Sequence, residues 1–80
     1  MTEETTTLDV RTLPPRERHP LIFARLDALA DGEALLLLND HDPRPLRYQL
    51  MAERPDQFAW EPQQEGPEEW IIRISRVAAE

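Results

Sequence analysis

Hydrophobic residues recur at every second position in several segments of the chain, and this spacing predicts β-strands. Residues 7–11 place their apolar side chains on one side, which predicts a short half-buried strand. Residues 34–38 contain four consecutive leucines and predict a strand that is buried on both faces. Alternation returns at residues 58–61 and 70–75, on either side of a turn that contains Gly66, and together these segments predict an antiparallel hairpin.

Two segments between these strands show the three-to-four-residue spacing of amphipathic helices. The first helix should start near Pro20, a residue suited to a first turn, and end at Asp31-Gly32, where glycine provides a C-terminal cap. The second should run over about residues 43–54, with Asp42 as its N-cap. The residues expected to face the core are Ile22, Leu26 and Leu29 in the first helix and Leu46 and Leu50 in the second.

The elements follow the order strand-helix-strand-helix-strand-strand, which favours a small α/β (α+β) fold. Two strands joined by a helix within one sheet form a right-handed parallel unit. Adding the hairpin gives a two-layer sandwich, in which a four-stranded mixed sheet carries both helices on one face. We expect a single domain over residues 7–77, with a flexible N-terminal tail at 1–6 and a C-terminal tail at 78–80.

Composition limits the classes of function. The chain has 80 residues and a net charge of −7, so its surface should repel nucleic acids and anionic membranes. It has no cysteine, which excludes disulfides, thiolate metal sites and thiol nucleophiles. No apolar run approaches the roughly 20 residues of a membrane span, and the N-terminus lacks the pattern of a signal peptide. We therefore expect a cytoplasmic protein.

The two predicted strand-to-helix turns hold most of the side chains that carry chemistry. If the first two strands are parallel, both turns lie at one edge of the sheet, and His19 and His41, 22 positions apart, come close together. Two helix N-termini at that edge would direct free amides towards an anion. This edge is the predicted ligand site, and its candidate residues are Arg16, Arg18, His19, Asn39, Asp40, His41, Asp42 and Arg44.

Structural roles compete with ligand binding at several of these residues. Asp42 fits a helix cap, and Asn39 and Asp40 fit side-chain hydrogen bonds within the turn. Arg44 and Arg47 fit surface ion pairs with neighbours such as Asp40 or Glu53. His41 is the candidate metal ligand, because a turn of this kind does not require an imidazole. No cofactor is expected apart from a metal bound through His41.

The predicted hairpin contains Trp60, Trp70 and Ile71. The tryptophans are expected to cover the sheet as part of a small core. If either indole lies on the face away from the helices, that face is a candidate docking surface, to which Ile71 already contributes an apolar side chain.

Several motifs resemble those of a bacterial family of unknown function. They are Asp9-Val10-Arg11-Thr12-Leu13-Pro14-Pro15, Gly32-Glu33, Asn39-Asp40-His41-Asp42-Pro43-Arg44-Pro45-Leu46, and the strand over residues 70–73. Together they resemble domain-of-unknown-function family 2249, whose members occur alone or fused to hemerythrin-like or other small domains. That family is itself similar to the TusA/SirA sulfur carriers, and this similarity implies a TusA-like two-layer sandwich.

The sulfur carriers open their first helix with a Cys-Pro pair, whose cysteine carries a persulfide. Alignment on Asp9, Arg11 and Leu13 puts Pro15 at the cysteine position and Arg16 at the position of the proline. Proline offers no nucleophile and the chain has no cysteine elsewhere. The sequence therefore excludes persulfide sulfur transfer through this chain.

These features predict a non-catalytic binding or protein-interaction module rather than an enzyme. Its partner would be a small anion or another protein, with no nucleic acid and no membrane. The alternative is a metal- or redox-linked accessory protein that uses His41. A third hypothesis is a hydrolase or acid–base enzyme that uses His41 with Asp40 or Asp42. Exposed sheet edges allow either a monomer or a homodimer.

Overall fold

The chain forms six elements in the predicted order, as shown by a computed structural model that describes residues 5–77. The tail residues 1–4 and 78–80 lie outside the described residues. Neither helix of the described part has the length and apolar character that a membrane crossing requires. The elements are β1 (Thr5–Asp9), α1 (Pro15–Asp27), β2 (Ala34–Asn39), α2 (Arg44–Glu53), β3 (Phe58–Glu65) and β4 (Trp70–Arg76).

The four strands form one mixed sheet in the order β1-β2-β4-β3. β1 and β2 run parallel, from Thr5 opposite Ala34 to Asp9 opposite Leu38. β4 pairs antiparallel with both β2 and β3, so the predicted parallel pair and the predicted hairpin are confirmed. Because β1 and β2 are parallel, the turns that follow them emerge at the same edge of the sheet.

Both helices pack on one face of this sheet. Leu35 and Leu37 of β2 and Ile72 and Ile74 of β4 are almost completely buried and share one core cluster with helix residues. Burial of each such side chain stabilises the fold by about 1.5–3 kcal/mol. This aliphatic layer holds the α+β sandwich together, and its helix residues are Ile22 and Leu26 in α1 and Leu46 and Leu50 in α2.

The bounds of β1 differ from the predicted residues 7–11. The strand starts at Thr5, inside the segment expected as a tail. It ends at Asp9, whose carboxylate accepts the amide hydrogen of Arg11 and so turns the chain. The alternation itself is confirmed, because Leu8 is the buried position of the strand.

α1 begins at Pro15 and ends at Asp27, several residues before the predicted bounds at both ends. Pro15 takes the first helical position, where the missing amide hydrogen costs no hydrogen bond. Pro20, the predicted start, lies inside the helix, where its missing donor affects one bond near the exposed N-terminus. Gly32 (φ 83°) is not the cap of this helix, because it forms a separate turn and donates to the carbonyl oxygen of Arg76 at 3.0 Å.

α2 begins at Arg44 after an N-cap at Pro43, so the cap is one residue later than Asp42. Asp42 still stabilises the helix start, because its Oδ1 accepts the amide hydrogen of Arg44 at 3.0 Å. The helix ends at Glu53, in agreement with the expected end near residue 54.

The β3–β4 hairpin turns at Gly66 as predicted, but β3 is longer than the predicted residues 58–61. β3 continues to Glu65 through a register shift between Pro62 and Gln64. Gly66 then turns the chain with a φ of 73°, and the indole of Trp70 lies against it. A Cβ atom at position 66 would lie 2.7 Å from the Trp70 ring, so both the backbone and the packing require glycine there.

Candidate functional site

Arg18 joins the two turns at the predicted edge. Its side chain is buried, and it reaches from the start of α1 to the loop that follows β2. Nη1 donates to Asp40 Oδ1 at 2.7 Å and to Asn39 Oδ1 at 3.0 Å. Nε donates to the carbonyl oxygen of Leu13 at 2.8 Å. The two turns therefore meet as predicted, and an arginine holds them together.

This network gives Arg18 a structural role in place of the expected ligand contact. Nη2 lies 3.3 Å from the carbonyl oxygen of Arg11 and 3.4 Å from Asp40 Oδ2, so every nitrogen of the guanidinium faces an acceptor within the protein. Asn39 is buried too, and its Oδ1 also accepts the amide hydrogen of Asp40 at 2.9 Å. Asn39 and Asp40 thus build the turn through their own side chains, as the structural alternative predicts.

Asp40 and His41 form a hydrogen-bonded pair at the surface of the second turn. His41 Nδ1 lies 2.8 Å from Asp40 Oδ1, and we assign a proton to Nδ1 because a carboxylate only accepts. The hydrogen bond from Arg18, followed by that from His41, lowers the pKa of Asp40 to about 2. In the neutral imidazole Nε2 is then an acceptor, and it makes no hydrogen bond within residues 5–77. The His41 side chain is 60% exposed.

His19 is hydrogen-bonded to α2. Its Nδ1 donates to Gln49 Oε1 at 3.0 Å, and Gln49 Nε2 donates to Glu53 Oε2 at 2.8 Å. The early start of α1 explains this placement, because it directs Arg18 towards the turn and the following residue towards α2. Within residues 5–77, His19 and His41 are hydrogen-bonded to different partners and not to each other.

Any metal site at this edge would depend on His41. Among residues 5–77, no group of three or more histidine, cysteine, aspartate or glutamate side chains is placed to hold a metal ion. The carboxylate of Asp40 is bonded to Arg18 and to His41 Nδ1. A carboxylate in this position orients an imidazole so that Nε2 can bind a metal, but His41 supplies one ligand at most.

The remaining arginines near the turns differ in their partners. Arg44 Nε donates to Asp42 Oδ2 at 2.8 Å, so the surface ion pair expected for Arg44 forms with Asp42. Arg16 and Arg47 are exposed, and neither forms an ion pair with another described residue, so the surface ion pair expected for Arg47 is not formed among these residues. Two guanidinium groups are therefore available to an external anion.

A groove of about 410 Å³ lies between the start of α2 and the β3–β4 hairpin. α2 contributes Arg44 and Arg47, and the hairpin contributes Trp60 and Trp70. We call this cavity the tryptophan groove. Its complete lining is Asp42, Pro43, Arg44, Arg47, Trp60, Pro62, Glu65, Trp70 and Ile72.

The register of the sheet explains why both tryptophans line this groove. Trp60 lies opposite Ile74 of the core, and Trp70 precedes Ile72 by two positions on one strand. Residues in these relationships share a face of the sheet, here the face covered by the helices. Neither indole lies on the opposite face, so the condition set for an aromatic docking surface there is not met.

The face of the sheet away from the helices carries an aliphatic strip. Leu36, Leu38 and Ile71 are half-buried on it, with Ile71 opposite Leu38. Polar groups border this strip, including the Arg73–Glu61 ion pair with its 2.7 Å contact between Nη1 and Oε1. The apolar position predicted at Ile71 is thus confirmed.

A family comparison matches nearly the whole of this fold. Residues 7–76 match the family model described as an uncharacterized conserved protein, DUF2249. The chain belongs to this family. Among curated proteins and among solved structures, no match to the chain was found.

All the lining residues of the tryptophan groove lie within the segment that matches DUF2249. Among them, sequence reasoning named only Asp42 and Arg44 as candidate site residues. Arg47 follows Arg44 by three positions, and this spacing places both side chains on one side of a helix. The sequence could therefore have indicated Arg47 as a further site residue. Trp70 could not be identified as a site residue without knowledge of the strand pairing. The register of β4 against β2 places it opposite Asn39, at the edge of the sheet that carries the second turn.

Proposed function

We propose that this DUF2249 domain is a non-catalytic binding module of TusA-like fold, whose ligand occupies the tryptophan groove. The observation that carries the proposal is the groove, which joins two guanidinium groups, two indoles and the aliphatic side chain of Ile72 around about 410 Å³. This volume falls within the range of roughly 300–1,000 Å³ that is usual for small-ligand sites.

The proposal moves the ligand from the centre of the two-turn edge to the groove beside it. Arg18 and Asp40 satisfy each other inside the edge and hold the turns in place. Asp42 and Arg44 belong both to the predicted site and to the lining of the groove. The turns therefore support the start of α2, and the adjoining groove receives the ligand.

The chemistry of the lining favours binding over catalysis. Its ionisable side chains are two carboxylates and two guanidiniums, and the carboxylate of Asp42 is paired with Arg44. Apart from its two carboxylates, the lining holds no hydroxyl, thiol, amine or imidazole group that could act as a nucleophile. Pro15 at the position of the sulfur-carrier cysteine fits a TusA-like scaffold that binds a ligand without transferring sulfur.

A two-dimensional ¹H–¹⁵N NMR titration of the full chain tests this proposal. The probes are inorganic phosphate, sulfate, phenylacetate, phenylacetamide and phenethylamine, each added separately. We expect at least one probe to shift the amide signals of residues 42–47 and the indole signals of Trp60 and Trp70 in a saturable manner. Shifts confined to residues 11–19 would return the site to the first turn, and shifts confined to Leu36 and Leu38 would place it on the open face.

A metal- or redox-linked accessory role for His41 is a second candidate function. The hydrogen bond between His41 Nδ1 and Asp40 supports it, because it leaves Nε2 as an exposed acceptor. The remaining metal ligands would come from a partner protein. A Zn²⁺ titration that perturbs the His41 imidazole signals, with the effect lost in His41→Ala and kept in His19→Ala, would support this role, and unperturbed signals would overturn it.

A further inference from the structure

We propose that the tryptophan groove binds a small aromatic acid, a planar ring that carries one carboxylate, with Arg47 as the group that holds the carboxylate. This inference rests on the proposed function and names the chemical class of its ligand. It follows from three properties of the groove: a cation and a carboxylate that each lack an ion-pair partner among the described residues, and two indole surfaces.

The unpaired cation is Arg47. Of the two arginines in the lining, Arg44 already donates from Nε to Asp42 Oδ2 at 2.8 Å. Arg47 lies one turn further along α2 and forms no ion pair or side-chain hydrogen bond with the described residues. A guanidinium binds a carboxylate through two parallel hydrogen bonds, which are among the stronger interactions available at a protein surface. Arg47 is therefore the anchor for an acidic group.

The indoles of Trp60 and Trp70 favour a ring in the ligand. Both side chains are half-buried, so part of each ring remains open to the groove, and Ile72 and Pro62 add apolar surface beside them. Aromatic rings pack on indoles in offset or edge-to-face arrangements that add to simple apolar burial. The packing of Trp70 against Gly66 holds that indole in position before a ligand arrives.

The carboxylates of the lining limit the charge of the ligand. Glu65 lies in the groove without an ion-pair partner among the described residues, whereas the charge of Asp42 is offset by its ion pair with Arg44. Together with the net charge of −7, Glu65 disfavours a ligand with two negative charges, such as a phosphate monoester. A single carboxylate satisfies Arg47 without adding a second charge near Glu65.

Calorimetric and NMR titrations of the full chain with four matched probes test this inference. Phenylacetate is the test ligand, phenylacetamide removes its charge, cyclohexylacetate removes its aromatic ring, and phenyl phosphate adds charge. The variant is Arg47→Gln, and the matched control is Arg16→Gln. This control removes another exposed arginine, which has no ion-pair partner among residues 5–77 and lies outside the groove lining. Circular dichroism of both variants confirms that each is folded.

We expect phenylacetate to bind and to shift the indole signals of both tryptophans. Arg47→Gln should raise its dissociation constant by roughly tenfold or more, because a charge-assisted pair is lost. Phenylacetamide, cyclohexylacetate and phenyl phosphate should each bind more weakly than phenylacetate, and Arg16→Gln should leave the dissociation constant unchanged.

Three results would overturn the inference about the ligand class, and they differ in what they mean for the proposed function. If phenylacetamide or another probe binds the groove as tightly as phenylacetate, or if Arg47→Gln has no more effect than Arg16→Gln, the ligand class is wrong while the groove remains a binding site. If phenylacetate does not shift either indole signal, the ligand class is wrong. If phosphate, sulfate, phenylacetamide and phenethylamine also leave the groove signals unchanged, the proposed function fails with it.

Discussion

Arg18 and Asp40 lie 22 positions apart in the chain, yet Arg18 Nη1 donates to Asp40 Oδ1 at 2.7 Å. The bond crosses between the two strand-to-helix turns, which meet because β1 and β2 are parallel. It fixes the loop from which α2 starts, and α2 carries one wall of the tryptophan groove. A contact at the edge of the sheet therefore positions the candidate binding site.

Replacement of Arg18 by leucine should destabilise the domain by about 2 kcal/mol, because it removes several hydrogen bonds from a buried guanidinium while Asp40 remains partly solvated. The free energy of unfolding in urea measures this loss. Arg16→Leu is the matched control, and it should change stability by no more than about 0.5 kcal/mol, because Arg16 is exposed. Equal stabilities of the two leucine variants would contradict the structural role of Arg18.

The ion pair between Arg18 and Asp40 should also make the free energy of unfolding depend on pH in the acid range. The pKa of Asp40 is lowered from 3.8 to about 2, chiefly by the hydrogen bond from Arg18. Because this pKa is lowered in the folded state, the ionised carboxylate of Asp40 stabilises the fold above about pH 4. This stabilisation is lost as the pH falls from about 4 towards 2 and the carboxylate is protonated. In urea unfolding, the difference in stability between the native chain and Asp40→Asn should therefore shrink over this interval.

The carboxyl groups of Asp9 and Asp27 have lowered pKa values too, so Asp40→Asn should reduce the acid dependence without abolishing it. A difference between the two proteins that stays constant from pH 5 to about pH 2 would show that Asp40 is not held as a carboxylate by Arg18.

The contact between Gly66 and Trp70 predicts that alanine destabilises the domain more at Gly66 than at Gly32, although both glycines have a positive φ. Alanine at Gly66 meets both an unfavourable φ of 73° and the Trp70 ring at 2.7 Å. Alanine at Gly32 meets a φ of 83° but nothing within 4 Å. Gly32→Ala should cost about 1 kcal/mol from the backbone alone, and Gly66→Ala should cost more and shift the fluorescence of Trp70. Equal losses of unfolding free energy with unchanged fluorescence would contradict this packing.

The sequence predicted the fold well because the hydrophobic spacing reports directly on burial. The run of leucines before Asn39 indicated a central strand, and the structure places β2 between β1 and β4. The start of α1 was harder to predict from the sequence, because both Pro15 and Pro20 suit a first helical turn and the apolar stripe begins only at Ile22. Only tertiary contacts distinguish the two prolines.

The sequence predicted only part of the candidate site, because the rest of the site depends on long-range contacts. Parallel strands indicated that the two turns meet, but the sequence does not reveal which polar side chains satisfy one another once they meet. Arg18 and Asp40 do so, which removes them from the set available to a ligand. Trp70 and Arg47 form one cavity only through the register of β4 and the packing of α2, which are long-range properties.

His41→Ala should change the free energy of unfolding by no more than about 0.5 kcal/mol, because the imidazole is 60% exposed. It should also leave binding in the tryptophan groove intact, since His41 is not part of the lining. Urea unfolding and a phenylacetate titration measure the two quantities. A domain that melts on this substitution would show that the second turn requires the imidazole, and loss of phenylacetate binding would move the ligand from the groove to the turn.

The central claim, that the ligand binds in the tryptophan groove, is tested most directly by ¹⁹F NMR. The chain contains two tryptophans and both line the groove, so 5-fluorotryptophan labelling confines the ¹⁹F nuclei to the proposed site. The labelled protein is titrated with phenylacetate, phenylacetamide, phenethylamine, inorganic phosphate and sulfate. The account predicts that both ¹⁹F signals shift, in a saturable manner, with at least one of these probes. Two signals that stay fixed across the whole panel would contradict it.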